Sequence, residues 1–320
     1  MMMATYQHTP VLTSRALEIL SPALGGDAPV LVDATLGLGG HSEAFLASIP
    51  ALRVLGIDRD PEALESSHAR LEPFGDRVMF AQCRYDEIDT ALEEHAPGVE
   101  PQAILFDLGV SSLHLDKPER GFSYSVDAPL DMRMNPEDEL SAADILERYS
   151  VEELGTIFWR LGDEKLAKRY ASAIAQARTG GPLLRTGELV EVLQQATPYA
   201  LRDKGHPAKR VFQALRMEVN RELESLGAAL PKAMDRLAVG GRLAVMSYHS
   251  GEDKFVKTEL RRRSHSTAPL GLPQELPEHQ PEFLELTRGA EMASAEEIRD
   301  NPRSASVRLR AVEKLRKVTS

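Results

Sequence analysis

Three glycines and two acids near the amino end of the chain have the types and spacing of a cofactor-binding loop. Gly37, Gly39 and Gly40 follow Asp33, which ends one apolar run, and Asp58 ends the next. Glycine lets the chain turn sharply and lets a ligand approach the backbone with no Cβ in the way. An acid that closes the second strand can accept hydrogen bonds from two ribose hydroxyls. The pattern predicts a nucleotide-type cofactor site.

The spacing of the glycines distinguishes between cofactors. A dinucleotide loop reads G-x-G-x-x-G, but Ser42 occupies the position of its third glycine. Asp33 stands four positions before the first glycine, and an acid beside a tight turn favours a cationic ligand. S-adenosylmethionine carries an ammonium and a sulfonium, so we expect it to be the cofactor. Two alternatives remain: the loop binds a dinucleotide, or it is an ordinary turn that binds no ligand.

Composition restricts the class of protein. The chain has 320 residues, 42% of them hydrophobic, which is enough for one large or two moderate cores. No apolar run approaches the roughly 20 residues of a membrane helix, and residues 1–8 lack the pattern of an export signal. The single cysteine, Cys83, fits a reducing cytoplasm. The nine histidines are scattered, so we expect a cytoplasmic protein with no membrane contact and no dedicated metal site.

The net charge of −11, from 38 basic and 49 acidic residues, argues against a protein that coats nucleic acid. Bases are nevertheless gathered in the segments 204–221, 254–263 and 299–317. Such clusters on an acidic body can form a local phosphate-binding face. The alternative is a set of solvated helix faces with i,i+4 ion pairs. The candidate phosphate contacts are Lys209, Arg210, Arg261, Arg262 and Arg263.

The predicted elements place the candidate residues at one edge of a sheet. Up to about residue 112 strands alternate with helices, which predicts a doubly wound, mostly parallel sheet that binds ligands at the carboxyl ends of its strands. Asp33, Asp58, Tyr85 and Asp107 stand at or just past those ends. The first part of the chain is therefore α/β.

A stretch without strands interrupts the alternation. Residues 116–204 show only helical periodicity, and a long amphipathic helix over 207–238 then leads back to a strand. We expect a discontinuous α/β domain, residues 1–115 and 205–320, with a helical insertion at 116–204. The insertion leaves the sheet just after Asp107, so we expect it to face the substrate. Within it, Trp159 is interpreted as core rather than as a platform for base stacking.

Further motifs follow one another in a fixed order. With the glycine loop, this order resembles the RsmH (MraW) family of bacterial ribosomal RNA small subunit methyltransferases, from about His8 to Arg310. The motifs are His8-Thr-Pro-Val-Leu12, Phe106-Asp-Leu-Gly-Val-Ser-Ser112, Arg120-Gly-Phe-Ser, Pro129-Leu-Asp-Met-Arg-Met134, Gly205–Arg216, Ser247-Tyr-His-Ser-Gly-Glu-Asp-Lys254 and Asn301–Arg310. The resemblance implies a class I S-adenosylmethionine-dependent methyltransferase that methylates N4 of a cytidine in the decoding region (P site) of 16S rRNA. It also implies that the substrate is this RNA within the small ribosomal subunit or its precursor.

The resemblance also implies roles for individual residues. Two departures from the family are Leu36, where an aromatic is common, and Leu113-His114, where Pro-Gln is common. His249 is a candidate for substrate binding, with a satisfied loop histidine as the alternative. The cofactor contacts implied are Gly39, Gly40, His41, Asp58, Tyr85, Asp107 and His114.

The residue types suit methyl transfer to an amino group. The lone pair of the cytosine amino group is delocalised into the ring, and an acceptor for N4–H localises it. We expect Asp107 to be this catalytic acceptor, with a backbone carbonyl of Asp107-Leu-Gly109 as the alternative. Methylation at cytosine C5 requires a thiolate, but Cys83 does not lie in the Asp107 segment. Two other classes stay open, an NAD(P)-dependent oxidoreductase and a non-catalytic RNA-binding protein of ribosome assembly. The missing third glycine counts against the first, and the acids at 58 and 107 count against the second.

Overall fold

The computed structural model describes residues 10–201, 205–269 and 276–317. His8 of the first motif and Lys204 of the basic segment lie outside these residues. The chain divides into two compact units, one within residues 1–109 and 224–320 and the other at residues 110–223. The second unit contains the predicted insertion at 116–204, whose boundaries and role stay predictions. No helix in the described ranges is long and apolar enough to cross a membrane.

A seven-stranded sheet is the centre of the first unit. Its strands are β1 (Val30–Asp33), β2 (Arg53–Asp58), β3 (Val78–Gln82), β4 (Ala103–Asp107), β5 (Arg242–Ser247), β6 (Phe283–Glu285) and β7 (Arg308–Lys314). They lie in the order β3-β2-β1-β4-β5-β7-β6, in which β1 to β5 are parallel and β7 is antiparallel to both of its neighbours. The sheet confirms the predicted α/β class and the mostly parallel, doubly wound order of a class I methyltransferase.

The central strands are almost wholly apolar because both faces of the sheet are covered. All four residues of β1 are buried. Val32 joins the core on one face with Leu230, whereas the adjacent Leu31 joins the core on the other face with Phe45. The helices outside residues 110–221 are α1 (Thr13–Leu20), α2 (Gly40–Ser48), α3 (Pro61–Leu71), α4 (Ile88–His95), α11 (Glu222–Arg236), α12 (Ser250–Ser264) and α13 (Ala295–Asp300).

Helices build the second unit around a core of its own. Phe158, Tyr170 and Leu215 are among its buried residues. Ser141 and Ser150 cap two of the helices, since each serine oxygen accepts a hydrogen bond from the backbone N–H three residues on. The helices are α5 (Ser112–Asp116), α6 (Ala142–Arg148), α7 (Val151–Arg160), α8 (Ala167–Ala177), α9 (Thr186–Ala196) and α10 (Ala208–Val219).

The single long helix predicted over 207–238 is wrong. The chain forms α10 and α11 with a break between them, where Arg221 has a φ of 49°. At the break the Asn220 side chain accepts a hydrogen bond from Met134 N and donates one to Met132 O, both at 2.8 Å. These contacts come from residues more than eighty positions away, so helical periodicity does not reveal them.

The prediction that Trp159 is a core residue is also wrong. Its side chain is 65% exposed, whereas Ile157 and Phe158 are buried. Consecutive residues of a helix differ by about 100° in direction, so the inward orientation of Phe158 turns Trp159 away from the core.

Candidate functional site

The carboxyl ends of three adjacent parallel strands each present an acid. Asp58 ends β2, Asp33 ends β1 and Asp107 ends β4, and β1 lies between the other two. In a doubly wound sheet, ligands bind at this edge, where neighbouring strands send the chain to opposite faces. The structure thus brings the three acids to the edge that the sequence predicted.

The glycine loop is held to the end of β2 by Asp58. Gly37 and Gly39 have φ values of 52° and 75°, in the left-handed region that favours glycine. Gly37 N donates a 2.7 Å hydrogen bond to Asp58 Oδ2, and Asp60 N donates one of 2.9 Å to Asp58 Oδ1. The carboxylate therefore joins the loop to the start of α3, and its role as the ribose acceptor stays a prediction.

Tight packing explains why two positions of the loop are glycine. A Cβ at Gly39 would lie 3.1 Å from Leu71 and 3.3 Å from Ser67 of α3, and a Cβ at Gly40 would collide with Pro10. From the sequence, these glycines were expected to permit the close approach of a ligand. The structure gives a reason that requires no ligand, and their contact with the cofactor stays a prediction.

Asp33 is a buried acid with a close polar partner. Only 1% of its surface is exposed, and Ser42 Oγ donates a 2.7 Å hydrogen bond to its Oδ2. Burial raises the pKa of Asp33, whereas His41 and the Ser42 hydrogen bond act to lower it. Ser42 thus has a specific role at the position where a dinucleotide loop would have glycine.

Asp107 is held from several sides. Tyr248 Oη donates a 2.6 Å hydrogen bond to Asp107 Oδ1, and Asp107 N donates to Thr35 Oγ1 at 2.6 Å. Burial, followed by the charge of Asp107, raises the pKa of Tyr248 well above its ordinary value, so the phenol is neutral. The sequence reasoning missed Thr35 and Tyr248, although the motif 247–254 at the end of β5, next to β4, was a signal for the second.

His41 lies beside the second oxygen of Asp107. Its Nε2 is 2.9 Å from Val11 O, and a carbonyl oxygen only accepts, so Nε2 carries a hydrogen. Its Nδ1 is 3.8 Å from Asp107 Oδ2. His41 is 6% exposed, and this arrangement brings together two of the predicted cofactor contacts.

Tyr85 follows β3, at the same edge of the sheet. Its ring meets Phe106 edge-on, with centroids 5.8 Å apart and an interplanar angle of 83°. The ring is half-buried, and this position suits its predicted place beside an adenine.

His114 belongs to the second unit and is buried there. Its Nδ1 lies 3.2 Å from both Ser111 N and Ser111 Oγ, and its ring stacks on Phe122 with centroids 4.8 Å apart. These contacts fix the start of α5. The assignment of His114 to the cofactor stays a prediction.

The candidate phosphate contacts differ in exposure. Lys209 and Arg210 are exposed on α10, where Arg210 Nη1 donates a 2.6 Å hydrogen bond to Asp163 O. The side chains of Arg261 and Arg262 are 56% and 62% exposed at the end of α12. Arg263 keeps only 10% of its side chain exposed, because it pairs with Asp235 and Glu282 and covers the ring of Phe283.

His249 begins α12 as its N-cap. Its Nδ1 accepts a 3.3 Å hydrogen bond from Glu252 N, and its Nε2 lies 3.1 Å from Glu252 Oε1. The cap satisfies Nδ1, but the buried Nε2 makes no hydrogen bond with the described residues, and a role in substrate binding stays a prediction.

The chemistry of the site fits S-adenosylmethionine better than a dinucleotide. Asp58 and Asp107 make the strand edge acidic, which favours an ammonium and a sulfonium and disfavours a pyrophosphate. The left-handed turn at Gly37 and Gly39 lies between Asp33 and Asp58 in the chain. The residues present therefore suit the cofactor that the sequence predicted.

Comparisons with known proteins agree with this chemistry. The sequence profile of the MraW methylase family matches residues 5–315. A protein of Clavibacter michiganensis subsp. michiganensis named "Ribosomal RNA small subunit methyltransferase H" is 60% identical over 310 residues, 97% of each chain. A protein of the same name from Leifsonia xyli is 57% identical over 310 residues, which cover 97% of this chain and 95% of that protein. Another from Mycolicibacterium gilvum is 56% identical over 309 residues, which cover 96% of this chain and 83% of that protein. The resemblance seen in the motifs is confirmed: the chain belongs to the MraW methylase family.

Proposed function

We propose that the chain uses S-adenosylmethionine to methylate N4 of a cytidine in the decoding region of 16S rRNA, at the P site. Its family, and the names that its relatives carry, support a methyltransferase of small-subunit rRNA. The observation that carries the choice of an amino group is the Asp107 carboxylate, which Tyr248 holds at the end of β4. An acceptor fixed in this way suits a nucleophile that has N–H bonds.

Residues at the strand edge would hold the cofactor. Asp58, already bonded to the glycine loop, would accept from the ribose hydroxyls. Gly39, Gly40 and His41 of the loop would contact the cofactor, with Tyr85 beside the adenine and with Asp107 and His114 near the methionine end. When bound, S-adenosylmethionine supplies a methyl group that its sulfonium has already activated.

The protein's part in the reaction is alignment and hydrogen bonding. The nucleophile, the methyl carbon and the sulfur must lie in line, with the reacting atoms roughly 3 Å apart. Asp107 would accept a hydrogen bond from N4–H and so localise the lone pair on nitrogen. Tyr248, which donates to Oδ1, would keep the carboxylate in place for this role. The methylated nitrogen is cationic and loses its proton readily, so no stronger base is required.

The same site disfavours methylation at carbon. Attack at cytosine C5 would require a thiolate that adds to the ring. Burial raises the pKa of Cys83 to about 11, so its thiol stays protonated at neutral pH. Cys83 also follows β3 rather than β4.

The RNA would be bound by the helical insertion and by exposed bases. We propose that residues 116–204 recognise the RNA. Further contacts would come from Lys209, Arg210, His249 and the three arginines at 261–263. Among these three arginines, Arg261 and Arg262 are the most exposed. A stacked base must leave its helix to reach a pocket of this kind. The substrate would be the small subunit or its precursor, in the cytoplasm.

Two measurements on the purified protein test this function. We expect S-adenosylhomocysteine to raise the melting temperature and NAD to leave it unchanged. Labelled methyl groups from S-adenosylmethionine should enter 16S rRNA of small subunits taken from cells that lack the protein. Stabilisation by NAD alone would support the oxidoreductase, and cofactor binding without methyl incorporation would support a non-catalytic assembly protein.

A further inference from the structure

A single exposed tryptophan stands near the end of a helix in the second unit. Trp159 is 65% exposed, whereas the preceding Phe158 is fully buried. It is the only tryptophan in the chain. Tryptophan is among the more buried residue types on average, so an indole this exposed offers a large apolar area to a partner.

The turn after Trp159 packs tightly against the start of α10. A Cβ at Gly162 would lie 2.5 Å from Arg210 O and 2.9 Å from Phe158 O, so only glycine permits this approach. Arg210 Nη1 also donates a 2.6 Å hydrogen bond to Asp163 O. These contacts hold the basic start of α10 beside the end of α7.

The charge around this turn is mainly positive. Arg160, Lys165, Lys209 and Arg210 are exposed, and Asp163 is the one exposed acid within residues 158–166. Glu164 is buried and accepts a hydrogen bond from Leu166 N. The excess of bases is opposite in sign to the chain's net charge of −11. We call Trp159, Arg160, Lys165, Lys209 and Arg210 the Trp159 surface.

We propose that the Trp159 surface binds an unpaired stretch of RNA, with one base stacked on the indole and phosphates on the surrounding basic side chains. This proposal rests on the proposed function and adds a substrate contact to it. Every nucleobase has a π face, so stacking on an aromatic ring tolerates any sequence. Arginine and lysine neutralise phosphates. An exposed aromatic ring near the end of α7, together with four exposed cations on that helix end, its following turn and the start of α10, has the composition of a single-strand platform.

Because the chain has one tryptophan, its fluorescence reports on this surface directly. We would titrate the full chain with an unpaired oligocytidylate and with a double-stranded RNA of equal length. The single strand should quench the indole emission, and the duplex should quench it much less. Absence of quenching by the single strand, or equal quenching by both, would overturn the proposal, as would quenching by anionic phospholipid vesicles alone.

Variants separate stacking from general surface effects. Trp159→Ala should weaken binding of a labelled oligocytidylate by about 10-fold, the size expected when one base no longer stacks, and Trp159→Phe should weaken it less. Leu184→Ala is the matched control, since Leu184 is 56% exposed in the same unit but has no ring, and it should bind as the wild type does. Equal affinity of Trp159→Ala and wild type would overturn the platform.

Methyl incorporation keeps this test distinct from that of the proposed function. If the wild type methylates small subunits and Trp159→Ala binds RNA normally, the platform alone is wrong. If the wild type binds and stacks the oligonucleotide but transfers no methyl group, the proposed function is wrong and the surface stands.

Discussion

The hydroxyl of Tyr248 donates a 2.6 Å hydrogen bond to Oδ1 of Asp107, across 141 positions of sequence. It joins the residue that follows β5 to the last residue of the neighbouring β4. The phenol keeps its proton because burial and the charge of Asp107 both raise its pKa. The pair therefore consists of a neutral donor and the carboxylate that we propose as the acceptor of N4–H.

The raised pKa of Tyr248 predicts a loss of stability in alkali. Unfolded tyrosine loses its proton near pH 10, whereas folded Tyr248 keeps its proton to a higher pH. Above about pH 10 the unfolded state binds fewer protons, so the free energy of unfolding falls as pH rises through the folded pKa. Tyr248→Phe should make this fall shallower in urea unfolding measured from about pH 8 to 11. An unchanged slope would mean that Tyr248 is not the protonated donor.

The loop glycines allow a prediction with a matched control. Gly39 and Gly98 have φ values of 75° and 72°, but a Cβ at Gly98 would meet nothing within 4 Å, whereas one at Gly39 would meet Leu71 and Ser67. Gly98→Ala should lower the free energy of unfolding by about 1 kcal/mol through backbone strain. Gly39→Ala should cost about 1–3 kcal/mol more, through overpacking. Equal losses would show that packing against α3 is not what requires glycine at position 39.

Much of this fold was predictable from the sequence, because buried strands read as apolar runs that end in acids. The acids expected at or just past strand ends, Asp33, Asp58 and Asp107, are the last residues of β1, β2 and β4. The break at Asn220 was not predictable, since it depends on contacts with distant residues. The outward position of Trp159 was not predictable because the sequence does not show which of two adjacent aromatic residues, Phe158 or Trp159, faces the core.

The site was predictable in part for the same reason. The strand-end acids were identified from spacing alone. Ser42, Thr35 and Tyr248 were missed because their partners are distant in sequence or lie across the glycine loop, and no local pattern shows such hydrogen bonds.

Asp58→Ala should weaken the binding of S-adenosylmethionine by about 10- to 150-fold, because two ribose hydroxyls would lose a charged acceptor worth roughly 1.5–3 kcal/mol. It should also lower stability, since Gly37 N and Asp60 N lose their partner. Titration calorimetry and urea unfolding measure the two effects.

Ser150→Ala is the control for Asp58→Ala. It removes the N-cap of α7 in the other unit and should cost about 1 kcal/mol of stability without a change in cofactor affinity. Normal affinity in folded Asp58→Ala would remove Asp58 from the site.

The three arginines at the end of α12 should respond differently to substitution. Replacing Arg261 and Arg262 with glutamine should weaken RNA binding and lower its salt slope by about one unit for each phosphate that is no longer neutralised. Stability should change little, because both arginine side chains are more than half exposed. Arg263→Gln should instead lower stability by roughly 1–3 kcal/mol, because the Arg263 side chain is only 10% exposed and would lose its pair with the mostly buried Glu282. Fluorescence anisotropy at several salt concentrations and urea unfolding separate the outcomes. An unchanged salt slope in the double variant would show that these are solvated helix residues.

The most direct test of the central claim is mass spectrometric mapping of methylated cytidines in 16S rRNA from cells that lack the protein, complemented with three forms of it. Wild type and Cys83→Ala should restore a methyl group on N4 of a cytidine in the decoding region, since the thiol of Cys83 takes no part. Asp107→Asn should restore far less, and its loss of methyl transfer should exceed its loss of cofactor affinity. Three results would contradict the account: a methyl group on C5 of the cytidine, loss of the methyl group when the cells carry Cys83→Ala, or full restoration of the N4 methyl group by Asp107→Asn.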